Sequence, residues 1–311
     1  DMAIFGKRKK KKKDTGQQTY VQRIKLTPLG KVFQVVNGLL LLIFALLCLI
    51  PFLNVIGTSF ATTKEVLLRD FIIIPHTFTL AAYEYVFSTA TVTRAVLVSV
   101  IVTITGTAIS LIVTSLMAYG LSRTYLYGRR VINFLVLFTM LFSGGMIPGF
   151  LVVSNLGLIN SLWALIIPST VSAYNMIIMR NFFQGITPSL EESAKIDGAN
   201  HMQIYFRIML PLSKASFATI GLFYAVSYWN TYRSAILYLT DTKKWPIQVM
   251  LQQIVLMASG SDFDTASVEV VPPSQSVRMA VIVVATLPIL LVYPFVQRYF
   301  IHGAMLGSVK G

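Results

Sequence analysis

Six long apolar runs constrain this chain more than anything else in it; they lie near residues 33–57, 94–120, 131–153, 160–180, 215–239 and 278–300. Each is long enough to cross ~30 Å of hydrocarbon at about 1.5 Å of helix rise per residue. Backbone inside lipid has to satisfy its own polar groups, so such runs fold as helices of a bundle. Composition agrees, with 55% hydrophobic and 12% charged residues, where an ordinary globular domain carries about 25% charged. The expected fold is an all-α polytopic membrane protein with six transmembrane helices.

Charge then gives an orientation. Of 26 Lys and Arg residues, ten lie in residues 1–32, including the run from Lys7 to Lys13. A like-charge block of this kind stays solvated and disordered, and no small-residue cleavage site follows the next apolar run. It could attract anionic lipid, but its plainer effect is to hold the N-terminus in the cytoplasm. Across the loops, 19 basic residues fall on the side of the N-terminus, of 121–130, of 180–214 and of the C-terminal end with Arg298 and Lys310, against seven on the other side. Both termini are therefore expected in the cytoplasm. The outer side carries two long loops, 58–93 and 240–277, and the core of the permeation domain is expected over 94–300. The formal charge of +14 needs no nucleic acid to explain it.

Several chemistries are excluded. Cys48 stands alone, and His76, His201 and His302 are too far apart for a ligand cluster, so no metal site is expected. There is no phosphate-binding loop, nucleophile elbow or H-E-x-x-H helix, so the chain is not expected to be an enzyme or to carry a cofactor. The six runs contain no carboxylate of the kind that relays protons in a secondary transporter. Gly144, Gly145, Pro148, Pro168, Pro288 and Pro294 are expected to bend or interrupt their helices, which only neighbours or a cavity can accommodate.

The segment from Thr187 to Pro211 is the most informative part of the sequence. Thr187 is an expected N-cap, Pro188 suits the first helical position, and Glu191 and Glu192 complement the helix dipole. Gly198 is expected to end that helix in a left-handed conformation. A second short helix follows from about Asn200 to Met209, with an apolar stripe of Ile204, Ile208 and Leu210 joined by Tyr205 and Met209, until Pro211. Taken on its own residues, this helix, glycine, helix elbow could simply join two spans along the membrane surface.

Its wording is more specific than that. Glu192-Ser193-Ala194-x-x-Asp197-Gly198-Ala199, followed by Phe206-x-Ile208-x-Leu210-Pro211, resembles the coupling-loop signature of permease subunits of binding-protein-dependent, type I ABC importers, with Ser193 in place of the usual middle Ala. The strings Asn155 to Pro168, Tyr228-Trp229-Asn230 and Gly307 to Gly311 resemble the carbohydrate branch, of which the second maltose-importer permease is the familiar member. Phe142 to Pro148 is similar to a Gram-positive subgroup that imports oligosaccharides released from complex polysaccharides. The resemblance covers roughly residues 33–311. It implies a bacterial plasma-membrane complex of two homologous permeases, two ATPase subunits that hold ATP and Mg, and an external solute-binding protein. It further implies that the elbow, including Glu191, docks on an ATPase subunit.

Two further groups are candidates. Tyr224, Tyr228 and Tyr232 recur at four-residue spacing with Trp229, Asn230 and Arg233 beside them, and amphipathic aromatics on one helix face suit a sugar. An aromatic belt or packing against a partner would give the same pattern. Arg233 is open to three readings: contact with an acidic sugar, pairing with the partner permease, or snorkelling to the surface. In the loop 240–277, Asp241, Lys243, Lys244 and Trp245 are the candidates for docking the binding protein.

Overall fold

A computed structural model of the chain describes residues 28–258 and 274–307. The polybasic run, the acidic stretch with Asp262, Asp264 and Glu269, and residues 308–311 lie outside the described residues. In order the helices are α1 (Pro28–Ser59), α2 (Thr63–Leu68), α3 (Ala81–Ser88), α4 (Ala90–Ser122), α5 (Arg129–Leu141), α6 (Met146–Asn155), α7 (Trp163–Ile166) and α8 (Ala173–Gly185). They continue as α9 (Pro188–Ile196), α10 (His201–Ile204), α11 (Leu210–Leu212), α12 (Lys214–Trp229), α13 (Arg233–Tyr238), α14 (Ile247–Ala258) and α15 (Gln275–Gly307). Among the described residues the β content is one isolated bridge, Ala61 to Phe78.

The chain divides into two units, 1–51 and 52–311. In the first, the described part is helix up to Pro51, with Cys48 exposed. The second holds everything else. At its start Asn54 Oδ1 accepts from the Ile72 amide at 2.8 Å, and Glu65 accepts from the amides of His76 and Thr77 and from Arg69. The stretch from Glu65 to Thr77 is thereby tied to one carboxylate, and the His76 amide is the main reason its pKa is lowered.

The core is built on α4, which packs against α12 and α8, while α15 packs against α12 and α3. Where α4 meets α12 the side chains are small: Gly106, Ser110 and Thr114 recur at four-residue spacing and are buried. Small residues let membrane helices approach closely, and hydroxyls then bond across the seam. Ser110 Oγ lies 2.8 Å from the Tyr228 hydroxyl and Thr114 Oγ1 lies 2.7 Å from that of Tyr224. At the next residue, Ser115 Oγ meets the Tyr205 hydroxyl at 2.6 Å.

The helices depart from the six expected spans in definite ways. Among the described residues three are continuous and apolar enough to cross a membrane: α1, α4 and α15 through Val292. The third run is broken, α5 and α6 meeting at 119°, because Gly145 takes φ 88° and ψ 177°, a conformation open essentially to glycine. The fourth run is not one helix. It passes through α7 and a 3-10 turn at Ile167–Ser169, then restarts at α8 behind Ser172, whose side chain accepts from the Asn175 amide. Pro168 removes an amide from the ladder at that break. The fifth run ends at Trp229, not 239, and α13 follows as a separate piece. By contrast Pro288 and Pro294 do not interrupt α15. The expected tail 301–311 is helical through Gly307.

Candidate functional site: the elbow and its anchor

The elbow is built as two short limbs around one glycine. Thr187 occupies the N-cap position of α9, but its side chain makes no capping bond; Pro188 fills the first helical position. At the other end Gly198 sits at φ 80°. The Gly198 amide donates to Lys195 O at 3.0 Å and the Ala199 amide to Ala194 O at 2.9 Å, the paired bonds of a Schellman cap. Asn200 then starts the second limb with a capping box, exchanging 2.8 Å bonds with Gln203, which satisfies two orphan amides reciprocally.

Past α10 the helix widens to a π-turn over Tyr205–Met209. Pro211 has no amide to give the Arg207 carbonyl, and the Leu210 amide bonds back to Tyr205 O. Ile204, Tyr205 and Met209 are buried, Ile208 and Leu210 are half-buried, and Phe206 and Pro211 are exposed. The expected stripe therefore centres on Tyr205 and Met209 more than on Ile208. After Ser213 the chain turns by 83° into α12.

The two adjacent carboxylates of α9 have opposite surroundings. Glu192 is exposed together with Ser193, Asp197 and Gly198, whereas Glu191 is 6% exposed. Glu191 is ion-paired through Oε2 to Arg123 and through Oε1 to Lys195 at 2.9 Å. The Tyr125 hydroxyl donates to Oε1 at 3.1 Å. Burial by itself raises the Glu191 pKa, but Lys195, Arg123 and Tyr125 outweigh it and the net shift is downward. A lowered carboxylate pKa stabilises the fold above the unfolded value, and that stability is lost only as pH falls through the folded one. Tyr125 shows the reciprocal effect: burial first, then the carboxylate, push its hydroxyl up to about 12.

Arg123, just beyond the last residue of α4, is the residue that sequence reasoning missed. Its Nε donates to Ser122 Oγ at 3.0 Å and its Nη2 to the Phe183 carbonyl at 3.4 Å. Nη2 also lies 3.7 Å from Met209 Sδ, and the guanidinium sits 4.9 Å from the Tyr119 ring centroid. Its one signal in the sequence was its place among the basic residues of 121–130 on the elbow's side of the bundle.

The tyrosines of the fifth run do not share one face. Tyr224 and Tyr228 are 2% and 3% exposed and their hydroxyls are engaged at α4. The Tyr224 hydroxyl also accepts from the Ser172 amide at 3.0 Å, and that of Tyr228 donates to Ile166 O at 3.3 Å. Trp229 is buried and donates to Ala285 O at 2.8 Å. Because α12 ends there, Tyr232 falls out of register with the other two and is half-buried. Asn230 and Arg233 are exposed. Arg233 Nε lies 3.4 Å from the adjoining Tyr232 hydroxyl.

In the following loop Asp241 caps a short turn by accepting from the Lys243 amide at 2.9 Å. Lys244 Nζ donates to Asn160 O at 2.6 Å, and Trp245 Nε1 to Leu239 O at 3.1 Å. Asn160, at φ 58°, answers by accepting from the Asp241 amide through Oδ1 at 3.1 Å. Three of the four candidates for docking thus hold the loop in shape, and Lys243 is left exposed.

Comparison with known proteins agrees with this architecture. Residues 112–304 match the family model described as binding-protein-dependent transport system inner membrane component. The polygalacturonan/rhamnogalacturonan transport system permease protein YtcP of Bacillus subtilis is 60% identical over 87% of this chain and 96% of its own length. Protein LplC of the same organism is 49% identical over 92% of this chain and 97% of its own. A solved bacterial ABC transporter involved in the import of the acidic polysaccharide alginate contains a chain 34% identical to this one, with a TM-score of 0.80, covering 88% of this chain and 98% of that one. This chain belongs to the family of binding-protein-dependent transport system inner membrane components.

Proposed function

We propose that this chain forms one half of the translocation pathway of an importer for acidic oligosaccharides. Its partners are a second, homologous permease, two ATPase subunits that bind ATP and Mg, and an external binding protein. The bundle lies in a bacterial plasma membrane with both termini and the elbow cytoplasmic, an orientation supported by the excess of Lys and Arg on that side. The elbow seats in an ATPase subunit, and closure of the ATPase pair drives the bundle between inward-facing and outward-facing arrangements.

The observation that carries the substrate class is Arg233. It is exposed at the break between α12 and α13, with no carboxylate paired to it among the described residues. Asn230 and Tyr232 adjoin it, while Tyr224, Tyr228 and Trp229 are committed to packing. A guanidinium pairs bidentately with a carboxylate, and uronic acids are what distinguish polygalacturonan and alginate from neutral glycans. The relatives that carry those names support the reading.

Arg233→Gln in the assembled complex tests it. Transport of acidic oligosaccharides is expected to fall about tenfold or more, the loss of one charge-assisted pair worth ~1.5–3 kcal/mol, while neutral ones are little affected. Loss of complex stability in detergent with equal losses for both classes would assign Arg233 to the subunit interface. Failure to recover any ATPase subunit with the chain would sink the importer reading altogether.

Lys243 is the charge left free to meet the binding protein. Exposed charges govern encounter more than affinity, so Lys243→Glu is expected to slow association and to flatten its dependence on salt. An unchanged association rate at low ionic strength would rule that role out.

A further inference from the structure

We propose that Arg123 and Glu191 form an internal strut that passes movement of the elbow to α4 and α8, Glu191 acting as a positioning residue while Glu192 faces the partner. The proposal rests on the reading of the elbow as the ATPase contact. It assigns different work to two adjacent carboxylates that look equivalent in the sequence. Glu192 is exposed and free to meet another subunit, whereas Glu191 is turned inward and 6% exposed.

The geometry makes Arg123 a junction of four elements. One guanidinium touches the end of α4 through Ser122, the last turn of α8 through the Phe183 carbonyl, the first limb of the elbow through Glu191 and the second limb through Met209. Tyr125 adds a parallel tie. Its hydroxyl reaches Glu191 at 3.1 Å and lies 3.2 Å from His201 Nδ1, and its ring stacks on His201 at 5.5 Å between centroids. Lys195 Nζ lies 4.3 Å from the centroid of the same ring. Both limbs are therefore fastened to the segment that leaves α4.

A charge pair at this site behaves differently from an apolar contact. Packed alkyl surfaces can slide past one another, whereas separating Arg123 from Glu191 would leave the Arg123 guanidinium, whose side chain is 11% exposed, without its carboxylate. The link resists pulling as well as pushing, so it can move α4 in both halves of a cycle. Coupling between distant sites requires such an element, with discrete arrangements that both sites bias.

The test uses the full transporter in liposomes with its binding protein, and measures sugar transported per ATP hydrolysed. Glu191→Gln keeps the side-chain shape and removes the charge. The ATPase subunit should co-purify at wild-type stoichiometry while the transport-to-hydrolysis ratio falls by about fivefold or more, the low end of typical coupling energies. Arg123→Lys, which keeps the charge but loses the fork, should fall between the two. A residue that only stabilises the fold would lower yield and melting temperature and leave that ratio alone. If Glu191→Gln does not assemble, Tyr125→Phe and Arg123→Lys carry the same measurement. Ratios within about twofold of wild type in the variants that assemble would overturn the strut, being below the usual range of coupling. Glu192→Ala separates this outcome from failure of the underlying reading. If Glu192→Ala uncouples while Glu191→Gln does not, the strut alone is wrong; if Glu192→Ala and Gly198→Val both couple normally, the elbow is not the transmission element.

Discussion

Valine at position 106 is expected to wedge α4 away from α12 and to abolish assembly of a transport-competent complex. A Cβ on Gly106 would lie 2.8 Å from Cε2 and Cζ of Tyr228 and 2.9 Å from Cε1, closer than carbon atoms approach. The ring has nowhere to retreat, because its hydroxyl is held by Ser110 at 2.8 Å and by Ile166 O at 3.3 Å. Overpacking of this kind costs about 1–3 kcal/mol. Each interhelical hydrogen bond broken inside a membrane bundle adds ~0.6 kcal/mol, with a ceiling of about 1.7. Against a total stability of about 5–15 kcal/mol, the expected loss is a large fraction, concentrated at the seam that organises the core. Gly120 in the same helix is the control: a Cβ there meets nothing within 4 Å, so Gly120→Ala should be neutral or slightly stabilising. Thermal denaturation of the purified complex reads both. A Gly106→Val complex that melts and transports like wild type would show that α4 and α12 are not packed as described.

That seam also shows what the sequence could and could not disclose. The apolar runs at 33–57, 94–120 and 278–300 each correspond to one helix, since length and hydrophobicity alone require it. The elbow was partly legible at the level of single residues: Pro188 and Gly198 each supply a backbone conformation that the structure uses, whereas the Thr187 side chain makes no cap and the capping box of Asn200 with Gln203 was not foreseen. The direction in which each membrane helix faces was not. Ser and Thr recur on several faces of 94–120, so polarity marked none of them as the inside, and the four-residue spacing of the small residues Gly106, Ser110 and Thr114 was the one signal of a seam, without naming α12 as its partner.

The tyrosine repeat failed for a related reason. Four-residue spacing implies one face only while the helix lasts, and α12 ends at Trp229, three residues short of Tyr232. Likewise α14 was hidden inside what composition marked as an outer loop. Arg123 was hidden because a basic residue at a helix end is expected at any membrane boundary, and its partner Glu191 lies 68 positions away in the chain. Long-range pairing is where charge counting stops being informative.

The elbow supplies the second large expected effect. Gly198→Val should leave the bundle inserted and folded yet sharply reduce substrate-stimulated ATP hydrolysis by the assembled complex. At φ 80° an L-residue pays about 1–2 kcal/mol, and a β-branched one is more strongly disfavoured there. No atom lies within 4 Å of the added Cβ, so the strain is in the backbone alone and no core packing is lost. The chain relieves it by leaving the left-handed region, which breaks the bonds from Gly198 to Lys195 and from Ala199 to Ala194 and swings the second limb out of line with the first. Glu192 and Asp197 on one side and Phe206 on the other then no longer form a single shape. Coupling free energies of about 1–3 kcal/mol correspond to roughly 5–150-fold, and losing the elbow's geometry should forfeit most of that. Asparagine separates conformation from side-chain bulk, because it tolerates the left-handed region: Gly198→Asn is expected to retain most of the stimulation that Gly198→Val loses. Equal losses in both variants would point to a partner surface pressed against residue 198 instead of to the turn, and normal stimulation in the valine variant would remove the elbow from the transmission path.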